Sequence, residues 1–534
     1  MFLRFRKIVP AAFLALFLAA SPALAQGNKH HPNDNWKHRL KSVQILGIND
    51  LHGQLDVYRT VNGQKVGGAA YLAAYLKKYE QKNKNTLLVN AGDSVGASAP
   101  VSALLEDQPT IEFMNKMHFD VGTLGNHEFD EGVHEMLRLI YGGYSPKTGY
   151  FEGANFPYIC ANVVYKDTGE TVLPPYVIKK VNGMPIGFIG VVTTETPNIV
   201  VPSGIAGVKF VDEATAINKA AAQLEKRGVH AIVVLAHDSA SSWHDGTHAQ
   251  GRAVQFASKI NDDVDVIFAG HNHDYANTTV DGKLIVEAYS YGTAFSDVQL
   301  KIDPKTKDIV SKKAKVITTY HDGIQPDPEI KKLVQHYEQK VAPLVNRVIG
   351  TAAESITQQA SPAGESALGD LVADSQKAQM NTDFAFMNSG GIRADLNAGD
   401  ITWGELYTIL PFNDQLVKMT LTGEQIKNVL EQQWSGDYPK ILQISGLHYT
   451  WDENAPVGNK VTSITKADGT PLQMDQTYTV TANSFISQGG DGFTVFENGQ
   501  NQVTGPTDLE ALVEYIQNQQ QPISQSVEGR IQVQ

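Results

Sequence analysis

The sequence predicts an α/β protein of two domains joined by a helix. Its 534 residues exceed the roughly 250 to 300 residues at which a single hydrophobic core stops growing. In the first half, short apolar runs rich in β-branched residues alternate with helical segments, as in an α/β sheet. Ten histidines fall from His52 to His273, whereas only His448 follows residue 352. This division places any histidine-based metal chemistry in the first domain.

The N-terminal 25 residues are predicted to be a secretory signal peptide. Arg4, Arg6 and Lys7 precede an apolar run at 8–20, and Ala23 and Ala25 provide small residues for cleavage. An uncleaved anchor is the alternative, but the run is shorter than the roughly 20 residues of a membrane-spanning helix. We therefore expect a periplasmic or secreted protein without membrane insertion. Residues 26–41 are predicted to be a disordered leader.

The excess of acidic over basic residues limits the kinds of molecule that the protein can bind. Removal of the signal takes away three basic residues and leaves 41 basic and 57 acidic residues, a net charge of −16. Such a surface repels polyanions, which argues against a nucleic acid polymer as partner and leaves room for a small anionic substrate. Cys160 is the only cysteine, so no internal disulfide can form, and it is predicted to be a buried core residue.

Five apolar runs between residues 42 and 325 each end in polar side chains. The runs are 43–48, 86–89, 121–124, 231–235 and 264–268. Helical segments are predicted at 70–80, 110–117 and 213–227. Because ligands of α/β sheets bind beyond the carboxyl ends of the strands, these polar clusters are candidates for a functional site.

The second half begins with a change of pattern. After Pro326 and Pro328, six apolar residues follow helical spacing: Ile330, Leu333, Val334, Tyr337, Val341 and Leu344. This spacing predicts an amphipathic linker helix within 326–348. A short coiled coil is the alternative. Residues 349–525 are predicted to be a second α/β domain. It has a helix near 368–380 and strands near Ala385, Val417, Leu447 and Tyr478. The Gln-rich stretch at 519–521 is predicted to be partly disordered, and 526–534 to be a tail.

The strand ends supply seven oxygen or nitrogen ligands and no sulfur: Asp50, His52, Asp93, Asn126, His237, His271 and His273. Asp-x-His and His-x-His each place two side chains on one side of an extended segment. A single one of these residues is more often a helix cap or a core residue, but five clusters in succession favour a metal site. Seven ligands suit two metal ions that share one carboxylate.

These residues resemble the motifs of the calcineurin-like metallophosphoesterases. The motifs are Asp50-x-His52, Gly92-Asp93, Gly125-Asn-His127-Glu128, Ala236-His237 and Gly270-His-Asn-His273. With Asn126 to Asp130 and the second half, the chain resembles the secreted bacterial 5′-nucleotidase and UDP-sugar hydrolase family over roughly residues 42–520. The resemblance implies a four-layer αββα sandwich at 42–325 and a separate C-terminal α/β nucleotide-binding domain.

The resemblance also assigns the ligands. Asp50, His52 and His273 would bind one divalent ion, Asn126, His237 and His271 the other, and Asp93 would bridge them. Zinc or manganese is expected, with iron, cobalt and nickel as alternatives, because all ligands are nitrogen or oxygen.

The same resemblance pairs His127 with Asp130 at the catalytic centre. Two cations about 3.5 to 4 Å apart would present hydroxide in line with phosphorus, while His127 stabilises the phosphate or protonates the leaving oxygen and Asp130 fixes its tautomer. Glu128 is given no chemical role.

The second half carries glycine-rich and aromatic segments that, taken alone, could be turns between core strands. By the resemblance, Phe412 and Phe485 would sandwich a base, Asp491 would hold ribose hydroxyls, and Asn388 and Arg393 would contact the nucleotide. Many relatives have an arginine just before the segment that begins at Glu365, whereas this chain reads Ser361-Pro-Ala-Gly364 there. Arg393 is therefore expected to carry an unusual share of the anion contact.

The resulting expectation is a secreted enzyme that hydrolyses nucleoside 5′-phosphates, with di- and triphosphates or UDP-sugars as further substrates. Cyclic nucleotides, NAD or a sulfur-carrier conjugate are alternative substrates for the same metal chemistry. A non-catalytic nucleotide-binding surface protein is the alternative of another class. Turnover is expected to involve closure about the linker helix.

Overall fold

The computed structural model describes residues 40–436 and 438–534. The predicted signal peptide (1–25) and nearly all of the predicted leader (26–41) lie outside the described residues. Within the described ranges, no helix combines the length and the apolar character that crossing a bilayer requires.

Two six-stranded sheets form the first half of the chain. The strand order of the first sheet is Ile309–Thr318, Ala294–Ile302, Lys41–Ile48, Thr86–Asn90, Val121–Thr123 and Tyr158–Ile159. The order of the second sheet is Tyr176–Val181, Met184–Val192, Ile232–His237, Val264–Phe268, Lys283–Ala288 and Tyr275–Val280. The five strands predicted from apolar runs are all present, within two residues at either end.

The two sheets pack face to face and are covered by helices on their outer faces. An apolar core that includes Ile45, Val89, Val233 and Phe268 fills the space between the sheets. The sheets approach closely at Gly47, where a Cβ atom would lie 2.4 Å from the Phe268 ring. The helices of this half are Ala69–Glu80, Pro100–Ala103, Gln108–Lys116, Val133–Tyr141, Thr196–Ile199, Glu213–Glu225 and Arg252–Ala257. The predicted four-layer αββα sandwich is confirmed.

Parallel pairing explains why the polar clusters meet. In the first sheet, Lys41–Ile48, Thr86–Asn90 and Val121–Thr123 run parallel, so their carboxyl ends lie at one edge. In the second sheet, Ile232–His237 and Val264–Phe268 also run parallel. The loops after all five strands therefore open at the same edge of the sandwich.

The predicted linker helix is present as Pro328–Val345. Asp327 caps its first turn, since the carboxylate accepts the amides of Glu329 and Ile330. The apolar side of the helix, which includes Ile330 and Leu333, joins the core beneath Ala69–Glu80. Lys77 on that helix donates to Asp327 at 2.7 Å. The linker is thus packed against the first domain along its N-terminal half.

The second domain is built on a five-stranded sheet with an apolar core on each face. The strand order is Leu442–Ser445, Phe384–Asn388, Thr477–Asn483, Gln415–Thr422 and Gln500–Thr507. A three-stranded sheet follows the order Val461–Lys466, Leu447–Trp451 and Ile531–Val533. The helices are Ala367–Met380, Trp403–Ile409, Gly423–Gln432, Ser484–Ser487 and Asp508–Asn518. The helix and the four strands predicted for this domain are confirmed.

Small hairpins and single turns complete the described chain. The two-stranded pairs are Arg59–Val61 with Gln64–Val66, Gly143–Ser145 with Gly149–Phe151, Val163–Tyr165 with Val208–Phe210, and Val348–Ala352 with Gly399–Thr402. Short 3-10 turns lie at His127–Phe129, Ser389–Gly391, Gly490–Gly492 and Thr494–Asn498.

Residues 526–534, which were predicted to be a tail, include a strand of the second domain. Ile531–Val533 pairs in parallel with Leu447–Trp451, and Ile531 is buried. Arg530 donates to both carboxylate oxygens of Asp374, at 2.8 and 2.7 Å. The carboxylate of Glu365 accepts the amide of Ile531 at 2.9 Å. Composition gave no sign of this, because the pairing depends on partners far away in the chain.

Deletion of residues 528–534 should lower the free energy of unfolding by about 3 kcal/mol or more. The deletion removes buried Ile531 and leaves Asp374 without its guanidinium partner. Deletion of 532–534 alone, which removes exposed side chains, is the matched control and should cost much less. Equal denaturation midpoints for the two truncations would contradict the role given to this segment.

Candidate dinuclear metal site and substrate cavity

The first two strand-end loops run side by side. The Asp50 amide donates to the Gly92 carbonyl at 3.1 Å, and the His52 amide donates to the Asp93 carbonyl at 3.0 Å. Asp50, His52 and Asp93 have φ of 50°, 48° and 48°. A left-handed conformation at a non-glycine residue costs on the order of 1 to 3 kcal/mol and is concentrated at functional sites. The paired loops therefore aim three predicted ligands at one point.

One group of predicted ligands consists of Asp50, His52 and His273. Nε2 of His52 and Nε2 of His273 lie 3.2 Å apart. Asp50 Oδ1 lies 3.4 Å from His273 Nε2 and 4.0 Å from His52 Nε2. Asp50 and His52 are completely buried, whereas His273 lies at the edge of the solvent.

A second group consists of Asp93, His237 and His271. His237 Nε2 lies 3.1 Å from Asp93 Oδ2 and 3.2 Å from Asn126 Oδ1. Asp93 Oδ2 is also 3.6 Å from His52 Nε2, so this carboxylate faces both groups. All seven predicted ligands therefore converge, with Asp93 between the two groups.

The donor chemistry of the pocket fits divalent cations. Nδ1 of His52 donates to the Gly96 carbonyl at 2.8 Å, and Nδ1 of His237 donates to the Ala91 carbonyl at 3.0 Å. A carbonyl only accepts, so these contacts fix the Nδ1 protons and leave the Nε2 atoms directed inward as ligands. These Nε2 atoms face carboxylate and amide oxygens. All of these atoms carry lone pairs, so a cation between them would be bound by each.

The electrostatics of the pocket point the same way. Burial by itself raises the pKa of Asp50, but the imidazoles of His273 and His237 outweigh burial and hold that pKa at about 2. Burial lowers the pKa of His237, yet the charges of Asp93 and Asp50 raise it to about 10. The carboxylates remain ionised and favour positive charge at the centre of the site.

Glu128 has a structural role that sequence reasoning missed. Its buried carboxylate accepts the amides of Asp93 at 3.0 Å, Ser94 at 2.8 Å and Gly125 at 2.5 Å. Burial, and then the charge of Asp93, raises the pKa of Glu128 to about 7. Glu128 thus ties the loop that carries Asp93 to the loop that carries Asn126, and it holds two predicted ligands in register. Its place in the motif Gly125-Asn-His127-Glu128 was a signal that the residue matters, but it did not reveal the amides that the carboxylate binds.

His127 and Asp130 lie at the mouth of the pocket. His127 Nδ1 and Asp130 Oδ2 are 2.8 Å apart, and the two side chains are 14% and 20% exposed. The His127 amide donates to Asp93 Oδ1 at 2.9 Å. Burial lowers the pKa of His127, but the charges of Asp130 and Asp93 outweigh it and raise the pKa above its usual value. His127 also lies near enough to His52 and Asp93 to form a third group of possible ligands with them.

A cavity of about 900 Å³ extends from the predicted metal ligands to the second domain. Asp93, Asn126, His127, Asp130, His271 and His273 line it on one side. Asn388, Arg393, Phe412, Phe485 and Asp491 line it on the other. The structure therefore brings the five predicted substrate residues to the same cavity as the predicted metal ligands.

Phe412 connects the two sides of the cavity. Its ring stacks on the His127 imidazole, with centroids 5.7 Å apart and an interplanar angle of 23°. The guanidinium of Arg393 lies 5.9 Å from the centre of the same ring. Arg393 is also close enough to His127 for its charge to oppose the increase in the His127 pKa. Arg393 is therefore positioned beside His127, on the side of the cavity opposite the predicted metal ligands.

Two predicted substrate residues already have protein partners. Asn388 Oδ1 accepts from Asn483 Nδ2 at 2.8 Å, which fixes the orientation of the amide. Asp491 Oδ1 accepts from Lys440 Nζ at 2.9 Å. The sequence gave no reason to single out Lys440, because Asp491 lies 51 residues further along the chain.

Comparisons with known proteins agree with this geometry. Residues 43–275 match the family model of the calcineurin-like phosphoesterases, and residues 348–498 match that of the 5′-nucleotidase C-terminal domain. The structure of a 5′-nucleotidase precursor from Thermus thermophilus superposes with a TM-score of 0.80 at 29% identity. The match covers 92% of this chain and 99% of that one.

Two bacterial relatives are similar over nearly the whole chain. Endonuclease YhcR of Bacillus subtilis is 44% identical over 97% of this chain, which spans 43% of that protein. Cell wall protein Lmo0130 of Listeria monocytogenes is 38% identical over 91% of this chain, which spans 69% of that protein. The chain thus spans less than half the length of the first relative and about two thirds of the second.

Asp93→Asn should reduce the bound metal from two ions per chain to fewer than one. The substitution removes the carboxylate oxygen that lies 3.6 Å from His52 Nε2 in one group of ligands and 3.1 Å from His237 Nε2 in the other. Metal content would be measured by elemental analysis after dialysis against a weak chelator. Retention of two ions by the variant would contradict the bridging role.

His127→Ala should retain both metal ions and lower turnover by about a hundredfold or more, the usual size of a general-acid contribution. The same elemental analysis and a phosphate-release assay would measure the two quantities. Loss of metal from this variant would instead favour the third group of ligands, in which His127 itself binds an ion.

Proposed function

This chain belongs to the 5′-nucleotidase family of calcineurin-like phosphoesterases, and on that premise we propose that it hydrolyses nucleoside 5′-phosphates with two divalent metal ions. The family models together match most of the chain, and a 38% identical relative is covered over 69% of its length. Nucleoside monophosphates are the proposed main substrates. Di- and triphosphates and UDP-sugars are further proposed substrates.

The observation that carries the proposal is the shared cavity. Its volume of about 900 Å³ is within the range of small-molecule sites, and its two sides have different chemistry. Converging nitrogen and oxygen ligands line one side, and the phenyl rings of Phe412 and Phe485 line the other. A molecule with a phosphate at one end and a flat base at the other matches this arrangement.

Each group of residues has a proposed task. The seven ligands would hold divalent cations, which when bound would supply a nucleophile at neutral pH and neutralise phosphoryl charge. His127 donates a hydrogen bond from Nε2 to the phosphate or the leaving oxygen, and Asp130 holds its Nδ1 proton. Arg393 contacts the phosphate as a fixed cation, while Phe412 and Phe485 hold the base.

Zinc and manganese are the proposed metals, because imidazole and carboxylate ligands without sulfur suit both ions. Iron, cobalt and nickel are the alternatives. Secretion is proposed from the N-terminal 25 residues. The name of the Listeria relative, a cell wall protein, supports the same location.

Activity profiling of metal-replete protein tests the proposal. The substrates are AMP, UDP-glucose, a cyclic nucleotide and NAD, each with Zn²⁺ or Mn²⁺, and the readout is chromatographic separation of each substrate from its hydrolysis products, because only AMP releases inorganic phosphate directly. We expect AMP to have the highest kcat/KM. A higher value for a cyclic nucleotide or NAD would overturn the substrate assignment, and absence of hydrolysis of all four would overturn the proposal of an enzyme.

Phosphodiester cleavage of a polynucleotide is the second candidate function. It is favoured by one observation, the 44% identity to a protein named an endonuclease. The acidic composition of the chain disfavours it. Gel analysis of a single-stranded oligonucleotide incubated with the same metal-replete protein would separate the two functions.

Arg393→Met should raise the KM for AMP by about tenfold or more and change kcat less. The substitution removes a charge-assisted contact while keeping an apolar side chain beside Phe412. Arg227→Met is the matched control, because Arg227 also lies near an aromatic ring, that of Tyr176, on the surface. An unchanged KM in the Arg393 variant would contradict the proposed phosphate contact.

A further inference from the structure

A further strand of the sandwich ends at the same edge as the five strands that carry the predicted ligands. Met184–Val192 runs parallel to Ile232–His237 in the second sheet. Directly after it, the Thr193 amide donates to the His237 carbonyl at 2.9 Å. Because parallel strands end at one edge, the loop that follows this strand reaches the predicted metal site. Glu195 lies on that loop.

Glu195 faces one of the predicted ligands. Its Oε2 atom lies 3.7 Å from Nε2 of His271, and the two side chains are 26% and 16% exposed. This distance is that of an ion pair rather than of a hydrogen bond. Glu195 is not among the predicted site residues, so the structure adds a carboxylate to the surroundings of His271.

This contact distinguishes His271 from two other predicted histidine ligands. In His52 and His237, Nδ1 faces a backbone carbonyl, which leaves Nε2 for an ion. In His271 the carboxylate lies at Nε2, so Nδ1 is the nitrogen left for an ion. A histidine that binds a metal commonly donates its other ring N–H to a carboxylate or a carbonyl, and that contact orients the ring. The position of Glu195 therefore favours ligation through Nδ1 of His271.

The backbone at His271 is held by other contacts. Its amide donates to both carboxylate oxygens of Asp50 at 3.1 Å, and its φ of 86° is left-handed. These features set the position of the Cα atom, whereas the rotation of the imidazole about its side-chain bonds depends on what the ring contacts. Glu195 lies at Nε2, and the His237 ring lies 5.4 Å away between centroids. Glu195 is thus placed to set which nitrogen faces the metal site.

The loop that carries Glu195 is itself anchored. The Glu195 amide donates to Thr193 Oγ1 at 3.2 Å, and the Thr194 amide donates to Glu213 Oε1 at 2.6 Å. Arg252 donates to the same Glu213 oxygen at 3.1 Å. Arg252 also lies near enough to Glu195 for its charge to stabilise that carboxylate. Glu195 therefore has a fixed position from which it can orient the imidazole.

We propose that Glu195 is a positioning residue that directs Nδ1 of His271 to a divalent ion. The Glu195 carboxylate holds the Nε2 proton, and the imidazole then presents the Nδ1 lone pair to the ion assigned to Asn126, His237 and His271. Glu195 does not bind the ion and does not touch the substrate. This inference rests on the two-metal site of the proposed function.

Removal of Zn²⁺ from the loaded full chain by a chromophoric chelator tests the inference. The wild-type protein should release two ions. In Glu195→Ala the affinity for one ion should fall by about tenfold or more, the usual effect of losing such a partner, and the affinity for the other should change little. Glu195→Gln keeps an acceptor for the Nε2 proton and should retain most of the affinity. Two ions bound by Glu195→Ala with wild-type affinities would overturn the inference.

Asp263→Ala is the matched control for this measurement. Asp263 lies 2.7 Å from Nδ1 of His230, a histidine of the same domain that is not a predicted ligand. The control removes a carboxylate from a histidine in the same way and should keep both ions with wild-type affinities. A loss of metal as large as that of Glu195→Ala would overturn the inference.

A crystal structure of the Zn²⁺-loaded protein gives a readout that depends on neither affinity nor turnover. It should show an ion at Nδ1 of His271 and Glu195 at hydrogen-bond distance from Nε2. An ion at Nε2, with Glu195 as a further ligand, would overturn the inference. If the wild-type protein binds no divalent ion, the proposed function fails by itself. If it binds two and Glu195→Ala binds both equally well, only the inference about Glu195 fails.

Discussion

The burial of two ionised carboxylates, Asp50 and Asp93, is the constraint on which the site depends. Both lie at the inner edge of the sandwich with almost no solvent contact. An unpaired buried charge is very unfavourable, so the surrounding structure has to supply positive charge. The imidazoles of His52, His237, His271 and His273 lie beside the two carboxylates, and divalent cations bound among these ligands would add the remaining positive charge. The parallel strands therefore bring the imidazoles to the same edge of the sandwich as the two buried carboxylates.

The site also depends on hydrogen bonds that fix the loops carrying the predicted ligands. Glu128 ties together the loops of two strands through three backbone amides. Asn49 does the same on the other side, since its amide donates to Asp50 at 2.7 Å and its oxygen accepts the Ala288 amide at 3.1 Å. These hydrogen bonds help to hold the left-handed residues Asp50 and Asp93 in place. A site prepared in this way loses little conformational entropy when ions bind.

The sequence pattern predicted an α/β domain and the residues that gather at its strand ends, because the buried strands are short and apolar and a ligand follows each within a few residues. The four-layer sandwich was expected from the family resemblance. The sequence did not predict Glu128 or Lys440. Glu128 acts on an amide 35 residues away, and Lys440 on a carboxylate 51 residues away, and no local pattern encodes such contacts. The segment around Arg530 was misassigned for the same reason. Its composition suggests a polar tail, whereas its partners Asp374 and Glu365 make it part of the domain.

The position of Phe412 has a consequence for how the protein can diversify. All seven predicted ligands belong to the first domain, while the second domain contributes the ring that stacks on His127. Recombination or sequence drift in the second domain can therefore change which substrate is held next to the predicted metal ligands, while those ligands stay unchanged. Such change is limited at one point, since any replacement at 412 has to remain compatible with the imidazole across the domain boundary.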